Sequence, residues 1–320
     1  MTKLKENSCV SDIKVSTLVS TPYLDTLAQL DQKAPPQPLE VLRKRASAKF
    51  YGNVILPHLI DLNSPLKSSY WNTFHCVSVL IQHRSGAFTG KYCKNRFCIV
   101  CNRIRTGTMI SKYGTQLSET DCLFLTLTTH LTKTCLTEKA LNKTIKRMKD
   151  TFKLIYRKAV RKFGSVSLIR KLEITVHLTK GHFHPHFHII IENNSKCVEF
   201  IIAQWLSYFT NSRKAAQDVR VADKNTIIEL FKYTTKMWDK IDTDKCVLPY
   251  PPEKLDIIFQ VLHKQRTFEV YGKKFRHIHD DFTPDEATII LEDMIPNETL
   301  WLWEQECRTW VEMDTGELLT

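Results

Sequence analysis

The sequence predicts an α+β protein, a central antiparallel sheet with helices on one face, preceded by a small cysteine-bearing module. Three observations predict it. Residues 122–129 are a β-branched, apolar run, and residues 168–178 and 183–191 alternate as strands around a Lys180-Gly181 turn. Residues 138–163 repeat Leu141, Ile145, Met148, Phe152, Ile155, Ala159 and Phe163 at intervals of three and four, an amphipathic helix opened by Thr137 and closed by Gly164. Apolar helices are expected again over residues 198–209 and 226–238, and strand, helix, hairpin, helix is the order of such a layer.

Four segments divide the chain. Residues 1–38 are polar and end in Ala34-Pro-Pro-Gln-Pro38, a flexible arm with a stiff linker. Residues 39–115 hold a basic helix, expected over 39–51, and Cys76, Cys93, Cys98 and Cys101 among basic residues. Residues 116–279 contain the sheet, and residues 280–320 form an acidic element bearing Trp301, Trp303 and Trp310.

Charge narrows the function. The 320 residues carry a net +12, yet residues 280–320 alone are −11, which leaves +23 on the rest. A body that basic expects a polyanion and argues against a hydrolase of small molecules. The first residues lack an apolar signal core, and no apolar run approaches the ~18 residues of a membrane span. A cytoplasmic protein without membrane contact is expected.

The histidine run 182–191 is the most informative passage. His184, His186 and His188 recur at the strand period, so their imidazoles share one face. Two such rings can bind one divalent cation, Mn²⁺ or Mg²⁺. A two-residue Lys180-Gly181 turn sets Glu173 opposite His188, making Glu173 the first choice for a third ligand and His184 the second; a loop one residue longer or shorter removes Glu173 from that face. Downstream, Glu229, Tyr233 and Lys236 fall within an arc of about 60° if the segment is helical, at ~100° per residue. A phenol beside a carboxylate and a metal suits phosphoryl transfer, with Tyr233 as nucleophile and Lys232 or Lys236 favouring its phenolate. Cys93-x4-Cys98-x2-Cys101 with Cys76 supplies the four thiolates of a structural Zn²⁺ site. Lys94, Arg96, Arg103 and Arg105, interleaved with it, and Lys232 are candidate DNA contacts.

Together, Cys93 to Cys101, Phe124-Leu-Thr-Leu-Thr128, His184-Pro-His-Phe-His188 and Glu229 to Lys236 resemble, in order and spacing, the rolling-circle plasmid replication initiators, a branch of the HUH (His-hydrophobe-His) endonucleases. The resemblance covers roughly residues 70–279 and departs at Ile99, where the family commonly has proline. It implies an RRM-like core, metal-dependent nicking of plasmid origin DNA at a single-stranded or extruded loop, and a 5′-phosphotyrosine on Tyr233 that leaves a 3′-hydroxyl primer. His186 and His188 would hold the metal, and Glu229 would serve hydrolytic termination in the single-tyrosine branch. A bacterial cytoplasm, with a host helicase and polymerase as partners, follows from that role. The alternatives are a transposase or relaxase of the same chemistry, and a zinc-containing DNA-binding regulator that cuts nothing.

Overall fold

The computed structural model describes residues 38–82, 88–129, 137–177, 181–231, 237–240, 247–275, 299–313 and 315–319. Helices α1 (Pro38–Asp61) and α2 (Lys67–Phe74) lead into strands β1 (Val79–Gln82) and β2 (Phe88–Gly90), then α3 (Ile99–Ser118). The central elements are β3 (Cys122–Thr128), α4 (Glu138–Phe163), β4 (Leu168–Val176), β5 (Phe183–Glu192), α5 (Ser195–Tyr208), β6 (Asp218–Val221) and α6 (Lys224–Phe231). Strands β7 (Trp238–Lys240) and β8 (Val247–Pro249), helix α7 (Pro252–Leu262), β9 (Phe268–Tyr271), β10 (Thr299–Glu304) and β11 (Thr309–Glu312) complete the chain.

The central sheet is antiparallel throughout, in the order β6-β3-β5-β4-β9. Alternation divides its residues. Phe187, Ile189 and Ile191 of β5, with Leu125, Leu127, Leu168 and Leu172, face a core closed by α1, α4, α5 and α7. The amphipathic stripe of α4 accounts for its place there; Thr137 accepts a hydrogen bond from the Ala140 N–H at 3.3 Å, and Gly164 ends the helix at φ +79°. Arg170 is buried in this core between the rings of Phe152 and Phe187 and is ion-paired with Glu269.

Helices also cover the opposite face at the end away from the histidines. Phe124, Ile169 and Ile190 lie beneath α3 and α6 through Met109, Ile110, Tyr113, Ile227 and Phe231. The sequence pattern did not predict α3. Two other boundaries also differ: α1 runs ten residues beyond the expected helix, to Asp61, and Trp238, expected to end the helix from 226, opens strand β7. Residues 232–236 between them lie outside the described residues.

A second sheet, β11-β10-β1-β2, joins the end of the chain to the cysteine segment. Trp310 is fully buried and its indole N–H donates to the Val77 carbonyl at 2.9 Å; Trp301 is buried in the same cluster as Cys76, Cys98 and Cys101. The tryptophans thus pack the acidic strands onto the basic module. No helix among the described residues is long and apolar enough to cross a membrane.

Candidate metal centre

Glu173, His186 and His188 converge, all buried, on the face of the sheet opposite α4, with one donor atom of each within 4.8 Å of the others. The register that brings them together is not the expected one. Glu173 pairs with His186 and Lys171 with His188, because the hairpin closes at His177–His182, where the His177 N–H donates to the His182 carbonyl at 3.0 Å, rather than at a two-residue Lys180-Gly181 turn. The pairing is displaced by two residues. An even displacement preserves the face, so Glu173 stays beside the histidines. Residues 178–180 of that loop lie outside the described residues.

His186 Nε2 and His188 Nε2 are 3.1 Å apart, and Glu173 Oε2 is 3.1 Å from His188 Nε2 and 3.9 Å from His186 Nε2. Ligand bonds of ~2.1 Å at right angles separate donors by ~3 Å, so this spacing fits one side of a six-coordinate divalent cation. The other ring nitrogens are also engaged. His186 Nδ1 lies 3.0 Å from the His184 carbonyl, which fixes the tautomer with Nε2 as a lone-pair donor, and His188 Nδ1 lies 3.3 Å from Thr126 Oγ1. Burial pushes His186 down to about 4, so its imidazole is neutral at pH 7. Burial also opposes ionisation of Glu173, but the hydrogen bond from His188 and the charge of Lys171 prevail and hold it at about 2. The neutral imidazole of His186, the imidazole of His188 and one carboxylate form a donor set that suits a transition ion.

His184 does not join this group. It pairs with Thr175, two pairs further along the hairpin from Glu173; its ring lies against His186 with centroids 5.2 Å apart, and its carbonyl orients His186.

Glu229 reaches the centre from α6. Its Oε1 is 3.9 Å from His188 Nε2, and its Oε2 accepts from Arg220 of β6 at 2.6 Å. Arg220 in turn lies over the Phe124 ring at 4.8 Å, and that ring stacks on His188 with centroids 5.2 Å apart. Tyr233, Lys232 and Lys236 lie outside the described residues. Tyr156 and Tyr208 sit with the helices on the far face: the Tyr156 hydroxyl donates to the Val166 carbonyl at 3.0 Å, and the Tyr208 hydroxyl accepts from Lys158 at 3.1 Å.

The cysteine cluster is a second donor group. Cys76, Cys93, Cys98 and Cys101 bring their sulfurs within 4.8 Å of one another, with Cys76–Cys101 at 3.6 Å and Cys93–Cys101 at 3.7 Å. A tetrahedron with ~2.3 Å Zn–S bonds has edges of ~3.8 Å. Cys98 caps the N-terminus of α3, its sulfur accepting the Cys101 N–H at 3.5 Å, while the Cys93 N–H points at Cys76 Sγ at 3.4 Å. Hydrogen bonding from Cys101 holds the Cys93 thiol far below its ordinary range, while the hydrogen bonding of Cys98 with Cys101, Cys76 and Cys93, and then its burial, raise the Cys98 thiol. Lys49 closes the cluster from α1, donating to the Phe74 and Cys76 carbonyls at 3.0 and 2.8 Å.

The basic residues of this module are partly engaged in holding it together. Arg103 donates to the Lys44 carbonyl at 2.6 Å, Arg105 to Asn102 Oδ1 at 3.4 Å and to the Lys94 carbonyl at 3.3 Å, and Arg96 to the Gln265 carbonyl. Lys94 and Arg96 remain exposed. Sequence reasoning missed Lys171, Thr126 and Arg220. The first two were readable from strand parity, since Lys171 flanks Glu173 and Thr126 lies within an expected strand; Arg220 sits on a short edge strand with no pattern of its own.

A model of the replication protein family matches residues 86–316. Protein rep of Staphylococcus aureus is 32% identical over 165 residues, covering 45% of this chain and 69% of that protein. Protein rep of Streptococcus pneumoniae serotype 2 strain D39 is 30% identical over 111 residues, covering 31% of this chain and 32% of that protein. No solved structure matches. The family match spans Cys93, Cys98 and Cys101 and the histidine hairpin and covers well over half of the sequence: the chain belongs to the replication protein family.

Proposed function

We propose that this protein is a plasmid replication initiator that nicks and rejoins one DNA strand at its origin, with Tyr233 as nucleophile. The observation that carries the reading is the approach of α6 to the donor group, Glu229 Oε1 lying 3.9 Å from His188 Nε2, with Tyr233 following α6 by two residues. In the nicking step the Tyr233 oxygen bonds to the scissile phosphorus and the P–O3′ bond breaks. The 5′-phosphate stays on tyrosine, and the proton lost by the phenol is matched by one gained at the 3′-hydroxyl. A strand is rejoined when a 3′-hydroxyl attacks that phosphorus and the phenol leaves; in hydrolytic termination Glu229 takes a proton from water, the water oxygen bonds to the phosphorus as the P–O bond to Tyr233 breaks, and the proton passes to the phenolate. A divalent cation held by Glu173, His186 and His188 would polarise the scissile phosphate and stabilise its charge. Two nitrogens among three donors favour Mn²⁺ over Mg²⁺. The four cysteines hold structural Zn²⁺, and Lys94, Arg96, Arg103, Arg105 and Lys232 contribute phosphate contacts near the nicking site. Plasmid DNA places the protein in the bacterial cytoplasm, where the 3′-hydroxyl is passed to a host helicase and polymerase.

The test is a labelled single-stranded oligonucleotide from the protein's own plasmid origin, incubated with Mn²⁺ and resolved on a denaturing gel. Wild type yields a protein–DNA adduct that chelation abolishes, and Tyr233→Phe yields none. DNA binding without cleavage or adduct would replace this reading with a non-cutting DNA-binding regulator.

A further inference from the structure

We propose that the outer ridge of α4 is a second nucleic-acid surface, which takes the phosphate backbone of duplex DNA on the side of the central sheet away from Glu173, His186 and His188. This goes beyond the nicking reading and does not depend on it.

Lys143, Lys146, Lys153, Arg157 and Arg161 are all exposed and fall within an arc of about 80°, taking ~100° per residue. From the first to the last the ridge is ~27 Å long at 1.5 Å per residue, the rise of about eight base pairs of duplex. Among the described residues no carboxylate pairs with any of the five. The acidic residue of α4 in that arc is Asp150.

Nothing in the fold requires this arrangement. Lys153, Arg157 and Arg161 follow one another at i, i+4 and i+8, and each such like-charge neighbour costs an isolated helix about 0.2–0.5 kcal/mol. Four other cations of α4 are used differently, which shows what an internally engaged cation looks like here: Lys149 donates to Gln265 Oε1 at 2.9 Å. Arg147 lies over the Phe209 ring at 4.9 Å, Lys162 over the Phe200 ring at 4.8 Å, and Lys158 donates to Gln204 Oε1 at 2.9 Å. Among the described residues the ridge cations make no such contacts.

Position and chemistry select the partner. The inner stripe of α4 packs on Phe187 and Leu172, the face opposite the histidines, so a helix ~10–12 Å thick and the sheet separate the ridge from the donor group. A strand gripped for cutting cannot lie on both. Single-stranded DNA is held by stacking its bases on exposed aromatic rings, whereas the large apolar side chain exposed on this helix is Leu154. A straight, rigid row of cations without rings suits a stiff duplex bound through its phosphates, independent of sequence.

The experiment measures binding of a 30-base-pair duplex of random sequence by the full chain across a salt series. The ridge variant carries Lys143→Gln, Lys146→Gln, Lys153→Gln, Arg157→Gln and Arg161→Gln, substitutions of nearly equal helix propensity. A control variant carries Lys67→Gln, Lys196→Gln, Lys214→Gln, Lys264→Gln and Lys273→Gln, five exposed lysines elsewhere. The ridge variant is expected to lose about four units from the slope of log K against log salt, and about 100-fold in affinity at ~0.1 M salt; the control loses under one unit. Circular dichroism and thermal melting establish that both variants are folded. An unchanged slope in the ridge variant, or equal losses in the two variants, overturns the proposal, the latter in favour of a diffuse positive field. Adduct formation on single-stranded DNA is scored separately, so a protein that nicks nothing leaves the duplex result standing.

Discussion

Thr106 donates a 2.9 Å hydrogen bond to the main-chain carbonyl of Phe231. The contact is buried and joins the two helices that cover the histidine face. Its first partner belongs to α3, whose opening turn holds Cys98 and Cys101; its second follows Glu229 by two residues and precedes Tyr233 by two. The cysteine cluster and the segment bearing the proposed nucleophile are thereby mechanically joined.

Thr106→Val keeps the shape and strands the Phe231 carbonyl, a loss of about 1–3 kcal/mol. The folded variant is expected to form adduct about tenfold more slowly with unchanged Mn²⁺ affinity, and Thr106→Ser to recover most of the rate. Single-turnover adduct kinetics and metal titration read the two effects apart; an unchanged rate would mean that α3 does not position α6.

Glu173 and Glu229 are expected to separate by function. Glu173→Ala removes a donor atom and lowers Mn²⁺ affinity by at least ~10-fold, with nicking lost in proportion. Glu229→Gln leaves metal affinity nearly intact but slows hydrolytic release, so the covalent adduct accumulates. Calorimetric Mn²⁺ titration and a time course of adduct formation and decay test both.

The purified protein is expected to release one zinc per chain on denaturation, measured with a chelating dye. Cys98→Ser and Cys101→Ser abolish it and lower the melting temperature. Trp310→Ala, which empties a fully buried site against Val77, is expected to cost about 3–5 kcal/mol and to weaken zinc retention with it. Full zinc in that variant would detach the C-terminal strands from the cluster's stability.

Acid should destabilise the metal-free protein. His186 is near 4 when folded against 6.5 when unfolded, so between these values the unfolded chain binds the extra proton and stability falls as pH falls. Glu173, near 2 against 4.5, acts in the same direction between those lower values. Urea titrations of the chelated protein from pH 7 to pH 4 are expected to show declining stability, with a shallower decline in His186→Gln. A flat profile would contradict the burial of a neutral His186.

Legibility tracked periodicity. The helix stripe from Leu141 to Ala159 and the alternation of His184, His186 and His188 carry their geometry in their spacing, and so did the cysteine cluster. The hairpin register was misjudged by two residues because loop length is set by closure at His177–His182, which no local pattern marks; Glu173 kept its face only because the difference was even. Helix α3 went unseen because its apolar positions serve two neighbours, the cysteine cluster at one end and α6 at the other. Arg220, which holds Glu229, lies on a four-residue strand with every position exposed, so no burial pattern could reveal it.

Mass mapping of the DNA-linked protein tests the central claim most directly. After nuclease trimming and trypsin, the account predicts a phosphonucleotide on the Tyr233-Thr-Thr-Lys236 peptide, released by cleavage after Lys232 and Lys236. Modification of Tyr156 or Tyr208 instead, or cleaved DNA with no modified peptide, would contradict it.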